Sequence, residues 1–162
     1  MLKWYEDANR QQDVIISSRI RLNRNVKGYA FPEQLKDADR EGLIGLLKGG
    51  IQDAAPNLKY QSLAPGQKAE KDVLRERRVI NSAMAESGRK MGLFMSDDES
   101  ESVLICGDDH IRIQCSMGGL SLQKLWSRAN DLDDAVNEKF AYAFDSKYGY
   151  LTAFRSEEHT SE

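Results

Sequence analysis

Two short apolar segments in the second half of the chain flank a tight polar turn, and a long segment of helical periodicity follows them. Residues 103–106 and 110–115 are strand-like and enclose the turn Gly107-Asp108-Asp109, a spacing typical of an antiparallel hairpin. After Gly118-Gly119, apolar residues recur every three or four positions, which predicts a helix that Ser121 caps. We expect the whole apolar stripe of this helix to be core: Leu122, Leu125, Trp126, Ala129, Leu132, Val136 and Phe140.

The first half of the chain contributes further strands and helices. Residues 13–24 predict a strand with Arg19, Arg21 and Asn23 on one side and Ile20 and Leu22 on the other. We expect helices over residues 37–54 and 68–78 and short strands around residue 60, over 92–96 and from residue 149, although Gly49-Gly50 weakens the first helix. Without a regular β-α-β alternation, this order predicts an α+β fold with an antiparallel or mixed sheet and helices on one face.

Composition excludes several classes of protein. The longest apolar run is five residues, at 140–144, whereas a membrane span needs about 20. The chain has 23 basic and 26 acidic residues and a net charge of −3, which does not favour nucleic-acid binding. Two cysteines make a poor disulfide framework and favour a reducing cytoplasm, and two histidines give little support to a zinc site. An anion site must therefore come from local arginines.

The segment Ser17-Ser18-Arg19-Ile20-Arg21 is the first candidate cluster. On a strand its two arginines point the same way, about 7 Å apart, a spacing that suits a polyphosphate because guanidinium groups bind phosphate oxygens with two hydrogen bonds. Spacing alone still favours a solvated strand face with ion pairs.

Two more clusters stand out. His110, Arg112 and Gln114 share one strand face below the carboxylate pair Asp108-Asp109, which could hold a base, a phosphate-binding arginine and a metal-bound anion. Taken alone, an exposed sheet face with an Asp-rich turn is the simpler interpretation. Glu76-Arg77-Arg78 closes a charged helix and by itself is only a surface charge cluster.

Together these segments resemble the ATP:guanidino phosphotransferase (phosphagen kinase) family, and its bacterial protein-arginine kinase branch in particular. The matching stretches occur in the family's order: DVIISSRIRLNRN at 13–25, ERRVI at 76–80, DDHIRIQCSMGGLSLQKLWSRANDLDD at 108–134 and KFAYAFDSKYGYLTA at 139–153. The resemblance implies transfer of the γ-phosphoryl group of ATP to the guanidinium of arginine in proteins. It also implies Mg²⁺ held mainly by ATP, and no metal site of the protein's own.

The resemblance implies a role for particular residues. Nucleotide-binding positions are Ser17, Ser18, Arg19, Ile20, Arg21, Arg78 and Arg112. Arg78 stands where the family usually has a histidine. Asp108 matches the glutamate that orients and deprotonates the guanidinium, so it is the predicted catalytic residue. The family usually reads Glu-Glu-Asp-His where this chain reads Gly107-Asp108-Asp109-His110; aspartate is one methylene shorter, and a displacement of about 1 Å can cost about 100-fold in rate.

The resemblance also suggests how the chain is organised. Residues 1–12 are a lead-in, 13–154 correspond to the N-terminal half of the catalytic domain, and 155–162 resemble a translated sequencing adapter, so we expect a fragment that is inactive on its own. Small-guanidine kinases carry an extra helical domain before this sheet, for which residues 1–16 leave no room. The implied partners are proteins with exposed arginines, an activator protein, a heat-shock repressor and a Clp protease.

Two alternatives stay open. One is a small-guanidine kinase of the arginine or creatine type. The other is a catalytically dead homologue that acts as a regulatory binding module, suggested by Gly107-Asp108 and Arg78.

Overall fold

A computed structural model describes residues 17–120 and 122–152 of the chain. Within these residues five strands form an antiparallel sheet in the order β1-β5-β4-β3-β2, which confirms the expected α+β class. The strands are β1 (Ser17–Arg24), β2 (Lys59–Leu63), β3 (Met91–Met95), β4 (Glu101–Ile105) and β5 (Ile111–Gly118), and a small hairpin follows, β6 (Phe144–Asp145) and β7 (Gly149–Tyr150). The helices are α1 (Asp37–Ala54), α2 (Lys68–Glu76), α3 (Ser82–Glu86) and α4 (Leu122–Asn137), with a 3-10 turn at Pro32–Gln34.

Helices cover both faces of the sheet, so the expectation of helices on one face is wrong. On the first face, α1 and α4 pack over Ile20, Val103 and Ile113 in the larger apolar core. On the second face, Leu93 and Leu104 pack with residues of α2, α3 and the segment between them in a separate cluster. The alternation of side chains along a strand accounts for both clusters, because successive residues of β3 and β4 enter opposite faces.

Helix α1 has the predicted bounds and runs straight through Gly49-Gly50. A Cβ placed on Gly50 would overlap the ring of Phe140, so this glycine allows the ring to lie against the helix backbone. Glycine therefore serves close packing here and does not mark an end of the helix.

The apolar stripe of α4 is core only in part. Leu125, Ala129, Leu132 and Val136 are buried, as is Phe140 beyond the helix, but Leu122 and Trp126 are exposed. The prediction for Leu122 and Trp126 is wrong because the sheet covers only the part of the stripe that faces it. The predicted cap, Ser121, lies outside the described residues.

Helix α2 ends at Glu76, two residues earlier than predicted, because Arg78 adopts a left-handed backbone conformation with φ +61°. The N–H of Arg78 donates to the carbonyl of Arg75 (3.0 Å), and the N–H of Val79 donates to that of Leu74 (2.9 Å). This pair of bonds is the Schellman motif, which usually has glycine at the left-handed position. Leu74 and Val79 meet in the second apolar cluster, the hydrophobic contact that accompanies this motif.

This backbone conformation predicts the effect of glycine at position 78. Arg78→Gly and Arg78→Ala both remove the side chain, but only glycine adopts positive φ without a steric cost. We expect the free energy of unfolding of Arg78→Gly to exceed that of Arg78→Ala by about 1 kcal/mol. Urea unfolding followed by circular dichroism measures the difference, and equal midpoints with equal slopes would contradict the left-handed end of α2.

Several sequence-based expectations lie outside the described residues: the lead-in 1–12, the first residues of the predicted strand, 13–16, and the foreign tail 155–162. Among the helices that are described, we find none both long and apolar enough to cross a membrane.

Candidate functional site

Strands β1 and β5 present a polar surface on the same side of the sheet as α2 and α3. The register pairs Arg19 with Ser116, Arg21 with Gln114 and Asn23 with Arg112, and paired residues of neighbouring strands share a face. The opposite face of the same strands carries Ile20, Leu22 and their apolar partners. The predicted alternation along β1 is therefore confirmed, and it brings three arginines from two strands together.

A cavity of about 560 Å³ opens over this polar surface. The strands form its floor and the segment after α2 forms its wall, with Arg78 contributed by the wall. The lining residues are Ser17, Arg19, Glu76, Arg77, Arg78, Val79, Glu99, Gln114 and Ser116. Arg77 spans the rim, where it forms an ion pair with Glu99 at 3.0 Å. The cavity is large enough to admit a small molecule.

Positive charge is concentrated at this cavity. Burial lowers the pKa of Arg19, and the charges of Arg21 and Arg78 lower it further. Burial also lowers the pKa of Arg112 to about 10, with Arg21 acting in the same direction and Asp108 opposing it. Both Arg19 and Arg112 have a buried Nε atom without a hydrogen-bond partner. Such a set of mutually repelling, partly unsatisfied guanidinium groups is suited to a ligand that carries several negative charges.

Main-chain carbonyls of the wall fix the direction of the arginines. Arg21 Nη2 donates to the carbonyl of Arg78 at 3.4 Å, and Arg112 Nη2 donates to the carbonyl of Val79. These two carbonyls face the sheet because the left-handed turn at Arg78 reverses the chain immediately after α2. The end of α2 and the arginines of the sheet thus form one connected unit.

Asp108 lies in the β4–β5 turn, close to Arg112 but outside the cavity. It is half-buried, and its Oδ2 atom accepts a hydrogen bond from Asn81 Nδ2 at 3.1 Å. It lines a second hollow, of about 340 Å³, together with Gly107, Met84 and Arg89. A Cβ on Gly107 would lie 2.8 Å from the ends of the Met84 and Leu104 side chains, so a larger residue at position 107 would displace them.

Asp109 and His110 do not join the polar surface. Asp109 is buried and its Oδ1 atom accepts from Asn25 Nδ2 at 2.7 Å. Burial lowers the pKa of His110, whose Nδ1 atom accepts from the N–H of Val26 (2.9 Å) while Nε2 donates to the carbonyl of Ala30 (2.7 Å). This neutral histidine therefore holds the segment that follows β1. The prediction that His110 shares a strand face with Arg112 and Gln114 is wrong, because β5 begins only at Ile111.

The structure therefore separates the predicted site residues into groups. Ser17, Arg19 and Arg78 line the cavity, while Arg21 and Arg112 lie beside it on the same face. The other two point away: Ser18 Oγ donates to the carbonyl of Gly119 at 2.8 Å, and Ile20 is buried in the larger core.

The sequence motifs did not indicate Asn81 as a partner of Asp108. Asn81 is also the N-cap of α3, where its Oδ1 atom accepts from the N–H of Met84 at 2.8 Å. An asparagine three residues before a buried methionine is a recognisable capping signal, but its second contact, to Asp108, depends on the tertiary fold.

The profile described as "ATP:guanido phosphotransferase, C-terminal catalytic domain" matches residues 46–157. The chain therefore belongs to the ATP:guanido phosphotransferase family. Its relatives include protein-arginine kinases from Desulforamulus reducens, 36% identical over 156 residues, and Moorella thermoacetica, 35% identical over 156 residues. Each alignment covers 93% of this chain but only 44% and 45% of the relative, so the chain spans less than half of their length.

Solved structures show the same fold. The duplicated taurocyamine kinase from Schistosoma mansoni with bound transition-state analogue components superposes with a TM-score of 0.76 at 24% identity, covering 86% of this chain and 21% of that one. A lombricine kinase superposes with a TM-score of 0.69 at 16% identity, covering 86% of this chain and 43% of the other.

Proposed function

We propose that this chain provides the phosphate-binding arginines and the acceptor-orienting carboxylate of a protein-arginine kinase, which transfers the γ-phosphoryl group of ATP to arginine side chains of proteins. The observation that carries the proposal is the convergence of Arg19, Arg21 and Arg112 beside one cavity, with two buried Nε atoms that lack partners. Membership of the family supplies the reaction, and relatives named protein-arginine kinases favour protein-bound arginine as the acceptor.

The arginines would act on the nucleotide. Phosphoryl transfer needs charge neutralisation and in-line positioning more than covalent help, and a guanidinium can hold two phosphate oxygens at once. Arg19 and Arg78 would contact phosphates from the floor and wall of the cavity, while Arg112 lies between the cavity and Asp108. Ser17 lines the same cavity, and we propose nucleotide contacts through the main chain for Ser18 and Ile20, whose side chains face the other way.

Among the described residues no group of three or more His, Cys, Asp or Glu side chains could hold a metal ion. We propose that Mg²⁺ is bound chiefly through the phosphate oxygens of ATP, where it would offset their negative charge, because Mg²⁺ keeps most of its waters and takes few protein ligands.

Asp108 would act on the acceptor. A carboxylate can hold a guanidinium by two hydrogen bonds and can accept the proton that the attacking nitrogen loses. Asn81 holds this carboxylate in the turn, next to the guanidinium of Arg112, where the nucleotide and acceptor sites would meet.

Replacement of Asp108 by asparagine tests this assignment. In the complete gene product we expect Asp108→Asn to abolish phosphoarginine formation and to leave ATP affinity within about twofold, because the carboxylate contacts the acceptor and not the nucleotide. Single-turnover assays at saturating Mg-ATP measure the transfer. Asp53→Asn, an exposed carboxylate paired with Lys139, is the matched control and should retain activity. Wild-type transfer by Asp108→Asn would show that another group has this role.

The function as a whole is tested by the choice of acceptor. The complete gene product is incubated with Mg-ATP and either an unfolded arginine-rich protein or free arginine, and phosphoarginine is measured by mass spectrometry. Transfer to protein supports the proposal. Transfer to free arginine alone would indicate a small-guanidine kinase, and ATP binding without transfer to either would indicate a regulatory module. A cytoplasmic location and the activator, heat-shock repressor and Clp protease partners are part of the same proposal.

A further inference from the structure

Gln114 is a buried polar residue of the site to which neither the sequence motifs nor the family assignment gives a role. It lies on β5 directly opposite Arg21, and only 6% of its surface is exposed. Its Oε1 atom accepts a hydrogen bond from Arg21 Nε at 2.8 Å, and its Nε2 atom points to the carbonyl of Arg78 at 3.5 Å. One amide thus connects the floor of the cavity to its wall.

The two ends of this amide are not interchangeable. Arg21 offers only donors and the carbonyl of Arg78 is only an acceptor, so a single orientation of the amide suits both neighbours. In that orientation the uncharged Oε1 atom of Gln114 accepts the hydrogen bond from Arg21 Nε. A carboxylate could accept the same bond, but it would offset the positive charge of the guanidinium.

We propose that Gln114 is a positioning residue, which sets the plane of the Arg21 guanidinium so that Arg21 can contact the phosphate chain of a nucleotide; this rests on the proposed function. Arginine has a long side chain with many rotamers, and fixing it before the ligand binds reduces the entropy lost on binding. Because glutamine is neutral, it orients the Arg21 guanidinium without offsetting the positive charge of that group.

The test compares nucleotides that differ in phosphate number. Affinities for ATP and AMP are measured by calorimetry on the complete gene product and on its Gln114→Met variant, in which methionine has a similar length but forms neither bond. We expect ATP binding to weaken about tenfold and AMP binding to change less than about twofold. The reason is that Arg21, once it is no longer oriented, loses its contact with the outer phosphates, which AMP lacks. Gln61→Met, a glutamine on β2 away from the site, is the matched control and should bind both nucleotides as wild type does.

A double-mutant cycle shows whether Gln114 acts through Arg21. In the background of Arg21→Met, the change Gln114→Met should have no further effect on ATP affinity, because the group to be positioned is absent. Should Gln114→Met fail to fold, Gln114→Glu provides the second variant. It keeps length and acceptor but adds a negative charge, and we expect it to weaken ATP binding at least as much.

The outcomes separate this inference from the proposed function. If the complete gene product binds ATP and Arg21→Met weakens that binding, but Gln114→Met does not, the positioning role is wrong and the phosphate site stands. Equal losses for ATP and AMP, or additive effects in the cycle, would overturn the positioning role in the same way, since they indicate a structural defect. A complete gene product that binds no ATP would overturn the proposed function and this inference with it.

Discussion

Arg112→Met should weaken ATP binding about 10- to 150-fold, the effect expected for the loss of a charge-assisted hydrogen bond worth about 1.5–3 kcal/mol. Arg112 is the most deeply buried cation of the site. Its Nε atom has no hydrogen-bond partner, and its positive charge lies beside both the cavity and Asp108. Methionine fills similar space along the side chain, so the change removes the guanidinium with little effect on packing. Calorimetric titration of the complete gene product with ATP measures the effect.

Arg75→Met is the matched control for this measurement. Arg75 lies on α2, partly exposed, at 3.8 Å from Asp72, and contacts of this kind contribute little to stability. The control should bind ATP as the wild type does. A folded Arg112→Met variant with unchanged ATP affinity would show that phosphate is not bound at this position.

Arg40→Met should lower the free energy of unfolding by about 2–4 kcal/mol, the largest loss of stability that we expect from a single polar residue within 17–120 and 122–152. Arg40 is 4% exposed, and its guanidinium donates to the carbonyls of Lys90 (2.7 Å), Pro32 (3.0 Å) and Cys106. It thereby joins α1 to the 3-10 turn, to the residue before β3 and to the residue after β4. Removal would leave buried carbonyls without this donor, and each such group costs about 1–3 kcal/mol.

Urea unfolding of Arg40→Met, Arg40→Lys and Arg75→Met measures this effect. Lysine should recover little stability, because a single ammonium cannot reproduce the fork of a guanidinium that bonds three separate carbonyls. Arg75→Met should remain within about 0.5 kcal/mol of wild type. Equal stability of Arg40→Met and Arg75→Met would contradict the structural role of Arg40.

The polar face of β1 could be predicted because alternation along a strand is a local property. Once residues 17–24 form a strand, Arg19 and Arg21 must lie on one side and Ile20 and Leu22 on the other. Strand β5 was also predictable, since a polar turn between two apolar segments favours a hairpin, but that pattern pairs β5 with β4 and does not indicate its pairing with β1. The closeness of Arg112 to Arg21 came from the family resemblance and not from the spacing.

Other features could not be predicted because they depend on contacts between distant parts of the chain. A basic residue in the first turns of a helix usually faces solvent, and nothing near Arg40 in sequence indicates the three carbonyls it binds. The end of α2 was missed because an arginine, not a glycine, takes the left-handed position. The exposure of Trp126 was missed because periodicity defines an apolar stripe but not how far the sheet beneath it extends.

The carbonyl groups that hold Arg21 and Arg112 have a consequence for how this site can change during evolution. A carbonyl belongs to the backbone, so the acceptors at positions 78 and 79 persist whichever side chains those positions carry. Mutations there should leave the arginines oriented as long as the backbone can make the left-handed turn. Arginine can therefore stand at position 78, where the resemblance led us to expect histidine, without disturbing the rest of the cluster. We expect most residues at position 78 to remove only the phosphate contact of Arg78 itself, and proline and β-branched residues, which disfavour positive φ, to weaken ATP binding further because they also disturb Arg21 and Arg112.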